Sequence, residues 1–176
     1  MLLKNPQPRF EEIYRIYEES FPDVERRTKD GQREVFDNPR YRVRVMEENG
    51  EILAFLGYWD LPGCVFLEHL AATERCRGKG YGKLLAEEAV GETGKPVFLE
   101  IEPITEENPM TGRRAGFYER LGFYLNTFFY EQMPLKPSDG PIPLWIMSHG
   151  KSVTEEEFKP YKKEIYNIVY GVDVFE

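Results

Sequence analysis

The chain has 176 residues, 41% of them apolar and 14% aromatic, enough for one domain with a sizeable core. Its 23 basic and 31 acidic residues leave a net charge of −8. That balance argues against a general nucleic-acid binder, because no basic stripe is available to draw a phosphate backbone, and it suits cationic partners such as amines, although ordinary solubility explains it more simply.

Phe10, Ile13, Tyr14, Tyr17 and Phe21 recur at helical spacing, so the first element reads as an amphipathic helix stopped near Pro22. Residues 22–40 are charged and poorly periodic, which predicts a loop with a short helix around residues 30–36. YRVRVME, from Tyr41, then alternates as a strand. Asn49-Gly50 makes a hairpin turn, since both residues tolerate positive φ. EILAFLGYWD is the return strand, Pro62-Gly63 turns again, and VFLEHLAA is a third strand.

A glycine-rich stretch, Arg77 to Lys83, follows that strand. Tyr81, Leu84, Leu85 and Ala89 then fall on one helical face, with Gly91 or Gly94 as the stop. PVFLEIE (96–102) reads as a strand reached by a crossover. TGRRAGFYERLGF reads as a helix with Ala115, Tyr118 and Leu121 on one face, capped by Gly122. FYLNTFFYEQM is a strand, PLKPSDGPIP a loop, and LWIMSHG a last strand. Thr154 and Glu157 fit a capping box for a C-terminal helix at about 153–170, which Pro160 should kink or restart. The order implies a mixed α+β fold over residues 1–176, an antiparallel meander plus one local βαβ unit.

Cys64 and Cys76 are the only cysteines and have neither CxxC nor Cys/His metal spacing, so no disulfide and no metal are expected. Met1-Leu2-Leu3-Lys4 runs into Asn5, Pro6 and Pro8 rather than an apolar signal core, and no apolar run is long enough to span a membrane. A cytoplasmic protein that contacts neither membrane nor nucleic acid is expected.

The stretch RGKGYGK lacks the GxxxxGK[ST] spacing of a P-loop. It also lacks the parallel-sheet context of a dinucleotide fingerprint. A glycine loop opening a helix nevertheless presents N–H donors at the positive end of a helix dipole, and Arg77, Lys79 and Lys83 add charge. That chemistry suits a pyrophosphate. A plain strand-to-helix turn would need one glycine, not three in alternation.

R-x-x-G-x-G, met by Arg77, Gly80 and Gly82, resembles the acyl-CoA signature of the GNAT N-acetyltransferase superfamily. LEHLAATERC resembles that family's central strand, and GFYERLGF (116–123) its second motif. The resemblance covers roughly residues 10–149 and implies a single acyl-CoA N-acyltransferase domain. It would have a mixed sheet, helices on both faces and a V-shaped opening between the two central strands. It also implies acetyl-CoA as co-substrate. The pantetheine arm would pair with Leu70, Ala71 and Ala72, and the pyrophosphate would sit on Arg77, Gly78, Lys79, Gly80, Tyr81 and Gly82, with Lys83 beside them. A primary amine of a small molecule or peptide would attack directly in a ternary complex. A homodimer is compatible with this.

Acetyl transfer needs an oriented thioester, a polarised carbonyl, a deprotonated amine and an acid for the leaving thiolate. The resemblance assigns the acid to Tyr118, a phenol that stays protonated at neutral pH; its helix face alone would make it a core residue. Glu68, a carboxylate interrupting an apolar strand, ranks first as base, and Glu100 on the neighbouring strand second; either also reads as half of a structural salt bridge. His69 alternates to the face opposite Glu68 and reads as packed. Arg113-Arg114 read as surface, and Phe128-Phe129-Tyr130 as core. Asn108 lies upstream of the place where many relatives carry an asparagine, and Thr111 occupies that register. Two other functions fit the same residues: a catalytically silent CoA-binding regulator, and a protein lysine or N-terminal acetyltransferase.

Overall fold

The computed structural model describes residues 1–174. Helices are α1 (Phe10–Ser20), α2 (Lys29–Phe36), α3 (Tyr81–Gly91), α4 (Pro109–Arg120) and α5 (Glu155–Glu164). Strands are β1 (Tyr41–Glu48), β2 (Glu51–Asp60), β3 (Val65–Ala72), β4 (Val97–Ile101), β5 (Phe123–Gln132) and β6 (Ile142–His149). The architecture is α+β, a mostly antiparallel sheet of six strands with flanking helices. Contacts divide the chain into two compact units, and the division cuts through β3.

The first unit comprises residues 1–60, 67–92 and 135–139. Its strands β1 and β2 pair antiparallel across Asn49-Gly50, whose φ angles of +52° and +80° match a type I′ hairpin. Eight consecutive residues of β2, Ile52–Trp59, are buried, because α1 and α3 both pack on this strand. Of the predicted face of α1, Phe10, Ile13, Tyr14 and Tyr17 are buried, joined by Ile16, while Phe21 just past the helix is half-buried. On α3 the buried face is Leu85, Ala86 and Ala89, whereas Leu84 keeps 41% exposure. Helical spacing places Leu84 inside; the interior face of this helix passes through Ala86 instead.

The second unit comprises residues 61–66, 93–134 and 140–176, described as far as 174. β6 is its central strand, antiparallel to β4 on one side and to β5 on the other. The expected loop through Pro143 is shorter than predicted, for β6 already begins at Ile142. Pairing with β4 reaches only Trp145, so the missing N–H of Pro143 interrupts no ladder on that side.

Thr154 and Glu157 form the predicted capping box. The helix does not restart at Pro160; α5 runs on to Glu164 and opens into a π-helical turn, Ile165–Val169. Phe158 anchors it, fully buried, with its ring 5.1 Å from Phe98 and 5.8 Å from Tyr130. Burying such a ring contributes roughly 1.5–3 kcal/mol. Of the predicted aromatic core run only Tyr130 is fully inside, since Phe129 is 70% exposed and Phe128 half-buried. The ladder is irregular between Asn126 and Tyr130, so alternation there does not carry each ring inward. No described helix is long and apolar enough to cross a membrane.

Candidate active site

The first unit carries the glycine loop. β3 ends at Ala72, and Glu74–Cys76 form one 3-10 turn. Cys76 is buried beneath it, with Sγ 3.0 Å from the Leu53 carbonyl and 3.0 Å from Thr73 Oγ1. Its spacing in the sequence suggests neither a disulfide nor a metal site; in the structure it forms the floor of the loop. Above it, Arg77, Gly78, Lys79 and Gly80 are all exposed.

Gly78 and Gly80 have φ of +82° and +83°, a region that side chains with a Cβ adopt at a cost. The space in front of both is open: beyond the adjacent residues, no atom lies within 4 Å of where a Cβ would stand. Gly80 is the N-cap of α3 and supplies no side chain to its first-turn N–H groups. Those donors therefore face outward at the positive end of the helix. Arg77, Lys79 and Lys83 are exposed around them. The donor set fits a phosphate or pyrophosphate. Tyr81, expected beside it, turns its hydroxyl to the Glu48 carboxylate on the hairpin. Ala71 is buried, while Leu70 and Ala72 are half-buried on β3.

Glu68 sits two residues before Leu70. Its Oε1 accepts from Arg27 Nη2 at 2.6 Å and its Oε2 from the Trp59 indole N–H at 2.9 Å. Burial alone would raise this carboxyl, but the Arg27 charge outweighs it and holds the group well below the usual carboxylate range. Gln32 and Tyr41 extend the network, through bonds of 3.1 Å from Arg27 to Gln32 and 3.3 Å from Gln32 to Tyr41. His69 is packed between Tyr17 and Phe21, with Nε2 3.1 Å from the Glu25 carbonyl. Its Nδ1 nevertheless lies 3.6 Å from Glu68 Oε2, closer than strand alternation suggests. Alternation separates Cβ atoms, and a glutamate is long enough to turn back along the strand.

The second unit carries Tyr118 and Glu100, on α4 and β4. α4 starts at Asn108, whose Oδ1 accepts from Met110 N at 3.1 Å, so Asn108 is a helix cap. Thr111 is buried and donates to the Asn108 carbonyl at 2.7 Å. Tyr118 is half-buried, with its ring 5.0 Å from Phe117 and 5.7 Å from Phe123. Among the described residues its hydroxyl has no hydrogen-bond partner. Burial pushes that hydroxyl up to about 12, with Arg114 acting weakly in the other direction. It is a protonated donor throughout the neutral range.

Glu100 is half-buried and accepts from Tyr130 at 2.6 Å and from Tyr170 at 2.7 and 2.8 Å. Glu102, on the same side of the chain, pairs with Arg114 at 2.6 Å. His149 Nε2 lies 3.2 Å from the Leu121 carbonyl, at the end of α4. Arg27 and Tyr170 were not legible as partners of carboxylates, since they lie 41 and 70 residues from theirs, and Trp59, nine residues before Glu68, reaches it from another strand. Cys64 and Cys76 are free thiols, and among the described residues no cluster of His, Cys, Asp and Glu could hold a metal ion.

A strand, a glycine loop and a helix follow one another here, with R-x-x-G-x-G running from the loop into the first turn of α3, and define a strand–loop–helix unit with an anion-binding loop. The chain belongs to the GNAT acetyltransferase family, whose model matches residues 10–123. A structure described as "Putative acetyltransferase from GNAT family", from Bacteroides thetaiotaomicron, is 29% identical, with 98% of this chain and 99% of that one covered at a TM-score of 0.85. The "Putative acetyltransferase YjbC" of Bacillus subtilis strain 168 is 26% identical over 117 residues, 65% of this chain and 60% of that protein, so the match spans less than two thirds of its length. An aminoglycoside 6'-N-acetyltransferase complexed with coenzyme A shares the fold at 14% identity, with 88% and 99% covered and a TM-score of 0.60.

Proposed function

We propose that the chain is an acetyl-CoA-dependent N-acetyltransferase acting on a primary amine of a small molecule or peptide, by direct attack in a ternary complex. The observation that carries this reading is the exposed loop Arg77–Gly80 at the uncapped N-terminus of α3, within the stretch that matches the family. In this reading the loop N–H groups and Arg77, Lys79 and Lys83 hold the pyrophosphate. Tyr81 and Gly82 contribute first-turn N–H groups, and the backbone of Leu70, Ala71 and Ala72 orients the pantetheine arm.

Tyr118 protonates the departing thiolate. Its raised proton affinity and unengaged hydroxyl support that role. For the base, the environment of Glu68 reverses the order drawn from sequence. A carboxylate held by a guanidinium and an indole N–H has little proton affinity. Glu100, which accepts from the hydroxyls of Tyr130 and Tyr170, takes the role of base in this reading. The amine, once its proton has passed to Glu100, attacks the thioester carbonyl.

The test is thiol release from acetyl-CoA with a panel of small amines, polyamines and peptides. Amine-dependent release with a matching mass gain on the acceptor is expected. CoA binding by calorimetry with no transfer to any amine would make the chain a silent CoA-binding regulator instead.

A further inference from the structure

Glu100 accepts from two tyrosine hydroxyls that lie 30 and 70 residues further along the chain, and the single proton of Tyr170 is shared between both carboxylate oxygens. Tyr130 comes from β5 and is only 1% exposed. Tyr170 follows the π-helical turn Ile165–Val169, whose Tyr166 is fixed by a 2.5 Å bond from its hydroxyl to the Glu131 carbonyl. π turns within helices recur at functional sites, where they re-aim the residues that follow. Here the turn delivers the Tyr170 hydroxyl to both oxygens of one carboxylate.

A neutral phenol donates to a carboxylate best when the carboxylate is ionised, so such bonds favour the charged form and fix its plane. Tyr130 stays protonated: burial, and then the Glu100 charge, hold it well above its ordinary range. Titratable and charged groups packed about this strand are Tyr130 from β5, Tyr166 and Tyr170 from the C-terminal segment, and the Arg114–Glu102 pair from α4 and the chain just past β4. β6 presents Ile146 opposite Glu100.

We infer that Tyr130 and Tyr170 are positioning residues for Glu100, holding its carboxylate ionised and oriented to take the proton of the acceptor ammonium. The assignment rests on the reading of Glu100 as the base. The proton leaves the ammonium nitrogen, binds one Glu100 oxygen and leaves a neutral amine, with the hydroxyls stabilising the ionised carboxylate beforehand.

The test has two readouts on the full chain. Carbon-13 NMR of the glutamate carboxyls, with Glu100 assigned by its loss in Glu100→Gln, follows its titration without any acceptor. Tyr170→Phe should raise the Glu100 midpoint by about one pH unit, and Tyr130→Phe by a similar amount. With an accepted amine, the acid limb of kcat/KM should move up by the same interval. The rate would then fall about tenfold below wild type on that limb and converge with it at higher pH. Tyr166→Phe removes a hydroxyl from the same segment that donates to the Glu131 carbonyl and should leave both midpoints in place. A Glu100 midpoint unchanged in both Tyr170→Phe and Tyr130→Phe overturns the inference, whether or not those variants lose stability. A wild-type protein that transfers to no amine, yet shows the NMR shift, overturns the acetyltransferase reading and leaves the hydrogen-bond assignment standing.

Discussion

The Arg27 guanidinium donates to Glu68 Oε1 at 2.6 Å, and the two side chains keep only 7% and 4% exposure. Arg27 lies just before α2 and Glu68 within β3, so the pair ties a charged, irregular segment of the first unit to its sheet. Trp59 on β2 takes the other carboxylate oxygen at 2.9 Å. A carboxylate so placed serves structure first.

Removing one member of this pair strands a buried charge. Glu68→Gln should therefore destabilise the protein by roughly 3–5 kcal/mol, the range for breaking a buried pair. Arg27→Met combined with Glu68→Gln should lose less than the two single variants together. Urea unfolding of the four proteins checks this; a Glu68→Gln protein as stable as wild type would contradict it.

The pair also sets an acid dependence. Glu68 has a folded-state proton affinity below its unfolded one, so its stabilisation is full above the unfolded midpoint of about 4.3. It is lost progressively as pH falls further toward the folded value. Between pH 5 and 3 wild-type stability should drop more steeply than that of the double variant. Parallel slopes in thermal melts would count against the linkage.

Much of the frame was legible because it rests on local rules. Asn49-Gly50 marks a hairpin, Thr154 with Glu157 marks a helix start, and Phe10 to Tyr17 mark a buried face; each signal lies within a few residues of its consequence. The glycine loop was legible for the same reason, since two positive-φ glycines before a helix are a local need. The carboxylate partners were not. Nothing local separates Arg27 from its charged neighbours Arg26 and Lys29, and only tertiary packing brings it to Glu68, 41 residues away. Tyr170 and Glu100 are 70 residues apart. Pro143 misled because its cost depends on whether β4 pairs alongside it, a fact of register and not of composition.

Gly80→Asp places a charged side chain at a backbone φ of +83°, where the loop N–H groups face outward. Space is open there, so the fold should survive with the modest loss of a strained turn, about 1–2 kcal/mol. CoA affinity should fall sharply, by roughly a hundredfold or more, because an anion now occupies the anion's place. Calorimetry on the folded variant decides it. Unchanged affinity would remove the loop from the CoA site.

Tyr118→Phe keeps the ring against Phe117 and Phe123 and removes only the hydroxyl. That hydroxyl has no hydrogen-bond partner among the described residues, so stability should change little. A structural hydrogen bond would instead have cost about 1 kcal/mol. The acid role predicts the opposite pattern in turnover: acetyl-CoA binding close to wild type and kcat down by roughly 10²–10⁴. Burial pushes the hydroxyl up to about 12, so wild-type activity should show no alkaline limb from Tyr118 through the neutral range and well above it. Stability runs with the same sign. A phenol whose folded value exceeds its unfolded value of about 10 stabilises fully below pH 10, and that contribution fades as pH climbs toward 12. The kinetic comparison is made at saturating acetyl-CoA, then repeated with a thioester of a less basic thiol, which leaves without help. The defect should shrink with that thioester. If Tyr118→Phe matches wild type while chemistry limits the rate, Tyr118 is a packing residue and water protonates the thiolate.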